Sequence, residues 1–154
     1  PGRPVNIETA LAEALYLTTL ERNGDVVSMT SYAPLLAKEG YTQWNPDLIY
    51  FNNTEVKPTV GYYVQKLYGK HAGDFYIPCK VELSNQDEAV RKRVAISTVQ
   101  DSTTGDVIIK MVNLLLVAVK PPFNFPEVAS YATIMKYVLQ GESGDRRPKP
   151  EQSI

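Results

Sequence analysis

The chain has 154 residues with 44% apolar content, enough to bury a core in one domain, or in one domain and part of another. Sixteen basic residues nearly balance seventeen acidic ones, which argues against binding to nucleic acid or to an anionic membrane surface. One cysteine and one histidine exclude an internal disulfide and a structural zinc site, and the longest apolar run, Leu114–Val119, is too short to span a membrane.

A capped helix is predicted at the start of the chain. Asn6 suits the N-cap, Glu8 lies in the first turn at the positive end of the helix dipole, and Asn23-Gly24 is suited to a left-handed stop. The apolar residues that recur at helical spacing are Ile7, Ala10, Leu11, Ala14, Leu15 and Leu17. A helix is therefore expected from about residue 7 to residue 22.

The next segment predicts a strand, a long loop and a second helix. Val26–Met29 is apolar without alternation, which is typical of a parallel strand covered on both faces. An aromatic-rich loop, Tyr32–Pro46, leads to a second apolar run, Leu48–Phe51. Pro58 suits the first turn of a helix that ends at Gly69. One or two strands cannot complete a parallel sheet, and the first residue is proline, not methionine, so we expect a piece of a longer chain.

In the second half the apolar period changes from helical spacing to two. This alternation predicts four antiparallel strands, at about residues 75–83, 94–98, 107–119 and 131–139, with turn-rich connections between them. Such a set is typical of a β-sandwich, whole or in part. The tail Gly141–Ile154 is predicted to be extended or poorly ordered, and Gly69–Asp74 is the natural boundary between the halves.

Several blocks of the first half occur in an order that resembles one enzyme family. They read LAEA, LERN, DVV, SYAPL and WNPDLIYFN, and weaker blocks follow at VAISTVQDSTTGDVIIKMVNLL and VLQGESGDRRPKP. The chain resembles the C-terminal portion of glycoside hydrolase family 51 α-L-arabinofuranosidases. The resemblance implies a mixed α and β fold, in which the last helix-strand-helix part of a (β/α)8 TIM barrel precedes an antiparallel β-sandwich. It divides the chain into a barrel end at 1–70, a sandwich at 74–140 and an extended tail at 141–154.

The resemblance places the catalytic residues outside this chain. A retaining glycosidase uses two carboxyl groups about 5–5.5 Å apart, one as nucleophile and one as acid/base. In this family both are glutamates on barrel strands four and seven, upstream of the segment seen here. Glu8, Glu13 and Glu21 lie on the predicted helix, where a solvated or salt-bridged face is expected. No catalytic residue and no metal ligand is therefore assigned in this chain, and no cofactor is expected.

Two aromatic residues are candidates for contact with substrate. Ligand sites of this barrel lie at the C-terminal ends of its strands, and Tyr32 leaves the predicted strand there. Trp44 lies in the loop that follows. Aromatic rings suit the C–H faces of sugars, although packing over the barrel rim is the other reading of Trp44.

The resemblance implies a retaining exo-acting enzyme that removes terminal arabinofuranose from arabinoxylan or arabinan, with this chain inactive alone. The alternative is a non-catalytic carbohydrate-binding or structural β-sandwich module. The expected partners are an arabinose-containing polysaccharide or oligosaccharide and either the remainder of the enzyme or a second copy of the chain. The compartment is left open, with an extracytoplasmic or secreted location slightly favoured because polysaccharide-degrading relatives are often exported.

Overall fold

A computed structural model describes residues 4–119 and 133–154. The first helix, α1, spans Ile7–Arg22 and confirms the prediction. The Asn6 side chain accepts a hydrogen bond from the Thr9 backbone N–H at 3.0 Å, while Thr9 Oγ1 accepts one from the Asn6 N–H at 3.0 Å. This reciprocal pair satisfies two N–H groups that the first helical turn would leave free.

The left-handed stop predicted at Asn23-Gly24 is wrong. Asn23 has φ −109° and ψ 33°, and Gly24 has no positive φ. A further turn continues the helical hydrogen bonding instead, since Gly24 N–H donates to Glu21 O and Val27 N–H donates to Asn23 O. The carbonyls at the end of α1 thus find donors without a left-handed residue.

The strand predicted at Val26–Met29 is also wrong. Val26 lies in the turn after α1, residues 27–30 have no regular structure, and Met29 is 85% exposed. A parallel strand exists only with a neighbour to complete its hydrogen bonds, and no strand of the described residues pairs with this segment. The apolar side chains of Val26 and Met29 are therefore exposed to solvent.

The first sheet forms later, from strands β1 (Leu36–Lys38), β2 (Ile49–Phe51) and β3 (Val56–Pro58). Parallel pairing joins β1 to β2, with Leu36 opposite Ile49, and antiparallel pairing joins β2 to β3. The apolar run predicted at Leu48–Phe51 is therefore confirmed as a strand. Strand β1 lies within the segment predicted as the loop Tyr32–Pro46, so the sheet fixes both ends of the remaining connection, residues 39–48.

The second helix, α2, spans Val60–Lys70 and confirms the helical periodicity. Its N-cap is Thr59, whose side chain accepts from the Tyr62 N–H, so Pro58 ends β3 and does not enter the first helical turn. The helix also continues one residue past Gly69, and His71 caps it.

The second sheet contains β4 (Phe75–Tyr76), β5 (Val94–Gln100) and β6 (Val107–Asn113), all antiparallel, and a short helix α3 (Glu88–Arg91) precedes β5. The predicted strand at 75–83 shrinks to two residues, because the chain leaves β5 after Ile77 N–H bonds to Thr98 O. The strand predicted to run to residue 119 ends at Asn113. The Asn113 side chain bonds to the backbone of Leu115 and Val117 and turns the chain there.

The last described segment contains β7 (Lys136–Val138) paired antiparallel with β8 (Glu151–Ser153). The strand predicted at 131–139 thus corresponds to β7, and its first two residues lie outside the described residues. β8 lies within the tail that was predicted to be extended or poorly ordered. The Ile7 N–H donates to Asp145 O at 2.7 Å, which ties this tail to the start of α1.

The main core lies between the two helices and the β5–β6 hairpin. Its buried members come from α1, α2 and β6, and are Ile7, Ala10, Ala14, Leu17, Val60, Val64 and Val112. The described fold is a mixed α and β arrangement of two long helices and small sheets. One apolar cluster therefore spans the boundary that the sequence places at residues 69–74.

Candidate functional site

A cleft of about 290 Å³ lies between α1 and the segment that follows the exposed Val26–Met29 run. Its walls come from α1, from α2 and from this segment, and comprise Glu13, Tyr16, Leu17, Leu20, Thr30, Ser31, Tyr32, Ala33 and Gln65. The lining combines apolar groups with a carboxylate, an amide and hydroxyls. Such a cleft can hold a group that is partly apolar and partly hydrogen-bonding.

The polar centre of this cleft is the pair Glu13 and Tyr32. The Tyr32 hydroxyl donates to Glu13 Oε1 at 3.4 Å, whereas Glu13 Oε2 is buried without a hydrogen-bond partner among the described residues. Burial raises the pKa of the Glu13 carboxyl, and the hydrogen bond from Tyr32 and the nearby Gln65 amide partly oppose that effect. Burial and the nearby Glu13 carboxylate raise the pKa of Tyr32 to about 12.

Glu13 departs from the solvated or salt-bridged face predicted for the α1 glutamates. It is half-buried, and no cation forms an ion pair with it among residues 4–119 and 133–154. The sequence signal for this partial burial is spacing, because Glu13 lies three residues after Ala10 and four before Leu17, and both of these residues are buried. A carboxylate at that spacing lies at the margin of the buried face.

The second candidate, Trp44, lies in a loop braced by polar contacts. The Thr42 hydroxyl accepts from the Trp44 N–H at 3.1 Å and lies 3.0 Å from Trp44 O and 3.3 Å from Asp47 Oδ2, to one of which it donates. Asp47 is 1% exposed, and its N–H donates to the Tyr50 hydroxyl, which donates in turn to Asn45 Oδ1. The Trp44 side chain is itself 69% exposed. The loop thus holds an indole in solvent on a fixed backbone.

The structure does not bring Tyr32 and Trp44 into one pocket, since Trp44 does not line the Tyr32 cleft. The two segments are joined at the base of the loop instead. There the Leu48 N–H donates to Pro34 O at 3.3 Å, and the Ile49 N–H donates to Leu35 O at 3.0 Å. Tyr32 therefore faces the helices while Trp44 faces outward.

In the part of the chain that the structure describes, no group of three or more His, Cys, Asp and Glu residues is placed to hold a metal ion. None of the described helices has the length and apolar character needed to cross a membrane.

Comparison with known proteins decides the family. The family model described as the α-L-arabinofuranosidase C-terminal domain matches residues 2–152. The chain belongs to this family. It is 51% identical over 73 residues to an extracellular exo-α-L-arabinofuranosidase of Streptomyces chartreusis, an alignment that covers 47% of the chain and 9% of that protein.

Other relatives agree with this family assignment. The chain is 44% identical over 64 residues to α-L-arabinofuranosidase 1 of Arabidopsis thaliana, which covers 42% of the chain and 9% of that protein. The arabinose-bound structure of the MgGH51 α-L-arabinofuranosidase superposes with a TM-score of 0.64 at 34% identity, over 73% of the chain and 17% of that structure. This member of the α-L-arabinofuranosidase C-terminal family thus aligns with about a tenth of the length of these curated relatives.

Proposed function

We propose that the chain is the C-terminal part of a retaining, exo-acting α-L-arabinofuranosidase that removes terminal arabinofuranose from arabinoxylan or arabinan. The observation that carries this proposal is the family match over residues 2–152. The superposition on an arabinose-bound enzyme of the same kind adds support. An extracytoplasmic or secreted location is proposed with it, because one relative is described as extracellular.

The catalytic pair is proposed to lie on an earlier part of the enzyme. Retention requires two carboxyl groups about 5–5.5 Å apart. The more deeply placed carboxylates of this chain have other partners: Glu21 pairs with Lys110, Asp47 lies against Thr42, and Glu13 meets Tyr32. The chain alone is therefore proposed to be inactive.

The domain assignment rests on the order of elements. Residues 1–70 are proposed to end a (β/α)8 barrel, residues 74–140 to form all or part of a β-sandwich, and residues 141–154 to form the tail. The two long helices support the assignment to a barrel end. The antiparallel hairpin β5–β6, whose strands have seven residues each, supports the assignment to a sandwich.

Trp44 and Tyr32 are proposed to contact the sugar. Trp44 presents an exposed indole on a braced loop, which suits stacking on the C–H face of a sugar ring. Tyr32 contributes a half-buried hydroxyl at the edge of the Glu13 cleft.

The remainder of the enzyme, or a second copy of the chain, is proposed to cover the exposed apolar segment. Val26, Met29 and the neighbouring residues Leu35 and Leu36 are all exposed large apolar side chains. Exposed apolar groups close together in sequence favour association. A compact, stable monomer of the isolated chain by light scattering would contradict this part of the proposal.

The activity is tested on the enzyme that contains this chain, with an aryl α-L-arabinofuranoside. Proton NMR of the early products should show arabinofuranose with the α configuration retained. Inversion, or no release of arabinose, would contradict the proposal. Affinity electrophoresis on arabinoxylan tests the alternative non-catalytic module, since retardation without hydrolysis would favour it.

A further inference from the structure

A buried ion pair joins the end of α1 to the β5–β6 hairpin. Lys110 Nζ, on β6, pairs with Glu21 Oε1, on the last turn of α1, and the two side chains are only 10% and 16% exposed. On β5, the Ser97 hydroxyl donates to Glu21 Oε2 at 2.6 Å. Both carboxylate oxygens of Glu21 thus have partners across 76 and 89 residues of sequence.

The second helix meets the same pair through an aromatic ring. Lys110 Nζ lies 5.3 Å from the centre of the Tyr68 ring, within cation–π range. The Tyr68 hydroxyl lies 2.6 Å from Thr18 Oγ1 and donates to Ala14 O at 3.0 Å. The ammonium group is therefore held between a carboxylate on α1 and an aromatic face on α2.

Packing of the apolar core alone would leave the position of the helices on the hairpin loosely defined. Apolar contact is non-directional, and the α1 side of the core is built from small and aliphatic residues such as Ala10, Ala14 and Leu17. The ion pair is directional, so it defines how the helices pack on the hairpin. Any other packing would leave a charge unpaired at this depth and would be less stable. A further directional contact, from Arg22 Nη2 to Ile96 O at 3.3 Å, lies at the same end of α1.

We infer that Glu21, Lys110, Ser97 and Tyr68 form a polar latch that fixes the helical segment on the hairpin and makes the two a single cooperative unit. The latch does not depend on the proposed enzymatic activity. It crosses the boundary at residues 69–74, so it acts between the segments proposed to belong to the barrel and to the sandwich. Because α1 leads directly to the segment that carries Tyr32, the latch also sets the position of one wall of the cleft.

A double-mutant cycle tests the latch. The variants E21M, K110M and E21M/K110M are compared by thermal unfolding of the protein as purified, either alone or with the remainder of the enzyme. Each single change leaves one buried charge unpaired and should lower Tm by about 10 °C, whereas the double variant should lose clearly less than the sum. The matched control is the exposed pair Glu88 and Lys92, where E88M, K92M and the double variant should change Tm little and additively.

The inference would be overturned if the decreases in Tm at Glu21 and Lys110 were additive, or if they were no larger than the decreases at the control pair. Hydrogen exchange provides a second measurement. E21M should speed amide exchange both in the last turn of α1 and in β5, and faster exchange in α1 alone would also overturn it.

If the methionine variants do not fold, S97A keeps both charges and removes only one donor to Glu21. It should lower Tm by about 2–4 °C and speed exchange in α1. Unchanged exchange in α1 would contradict the latch.

Discussion

The phenol of Tyr32 donates a hydrogen bond to one oxygen of the Glu13 carboxylate, and the other oxygen is buried without a partner among the described residues. This relationship sets the electrostatics of the cleft. A carboxylate removed from water with one donor is less stable than the same group in solvent, so its pKa rises. The buried carboxylate therefore lowers the stability of the folded chain at neutral pH.

Replacement of Glu13 by Gln is expected to stabilise the chain at neutral pH. The raised pKa means that folding favours the protonated acid, so the stability from this site is full below the ordinary value of 4.5 and is lost as pH rises through the folded pKa. The gain should appear as a rise in Tm of at most a few degrees at neutral pH.

Thermal unfolding across the acidic range checks this expectation, since the gain should vanish below the ordinary pKa. The control is Glu142→Gln on the exposed tail, which should leave Tm at neutral pH unchanged. A destabilised Glu13→Gln variant at neutral pH would contradict the account, because it would mean that a charged carboxylate is preferred there.

Replacement of Thr42 by Ala should loosen the loop that carries Trp44. The change removes the hydroxyl that accepts from the Trp44 N–H and lies within 3.3 Å of the buried Asp47 carboxylate. The expected loss of stability is about 1–2 kcal/mol. Trp44 is the sole tryptophan of the sequence, so its fluorescence anisotropy reports the loop directly and should fall. Thr42→Ser keeps the hydroxyl and should retain the anisotropy.

Replacement of Trp44 by Ala should weaken substrate binding in the enzyme that contains this chain. Loss of aromatic contact of about 0.5–1.5 kcal/mol corresponds to a rise in KM of about 2- to 12-fold. Tyr41, which is also exposed in the same loop, provides the matched control, and Tyr41→Ala should change KM less. Equal effects of the two variants would indicate a general disturbance of the loop and would contradict a specific role for Trp44.

Alkaline titration should reveal the buried phenol of Tyr68. Burial raises its pKa to about 12, opposed by the Thr18 hydrogen bond and increased by the Glu21 charge. The stability from this group is full below the ordinary value of 10 and is lost as pH rises through about 12, since only the unfolded state ionises in between. Tyr68→Phe should lower stability by about 1–2 kcal/mol at neutral pH and flatten this alkaline loss. Phenolate absorbance during urea unfolding measures both effects.

The helices could be read from sequence because their signals are local. The capping residue Asn6 and the apolar spacing of α1 depend on neighbours within one turn, and the same spacing predicted α2, although its cap is Thr59 and Pro58 lies before it. The β5–β6 hairpin was likewise predictable, since alternation and a turn signal lie within a short stretch. The conformation of the turn after α1 was predicted wrongly, because a continued helical turn and a left-handed stop can use the same Asn-Gly pair.

Tertiary contacts explain the rest. The Val26–Met29 segment has strand composition, but pairing needs partners that composition does not supply. In the candidate site, Trp44 was proposed from its residue type and loop position, and that role stays a prediction. Glu13 was missed, because its burial depends on how Tyr32 and Gln65 approach α1. The Lys110 partner of Glu21 lies 89 residues away and has no local signature.

Hydrolysis of an aryl α-L-arabinofuranoside by the pure 154-residue chain, with and without the remainder of the enzyme, tests the central claim most directly. The chain alone should release the aryl group no faster than buffer, and release should begin only when the remainder of the enzyme is present. Release by the chain alone, in proportion to its concentration and abolished by replacing one of its own carboxylates, would contradict the account.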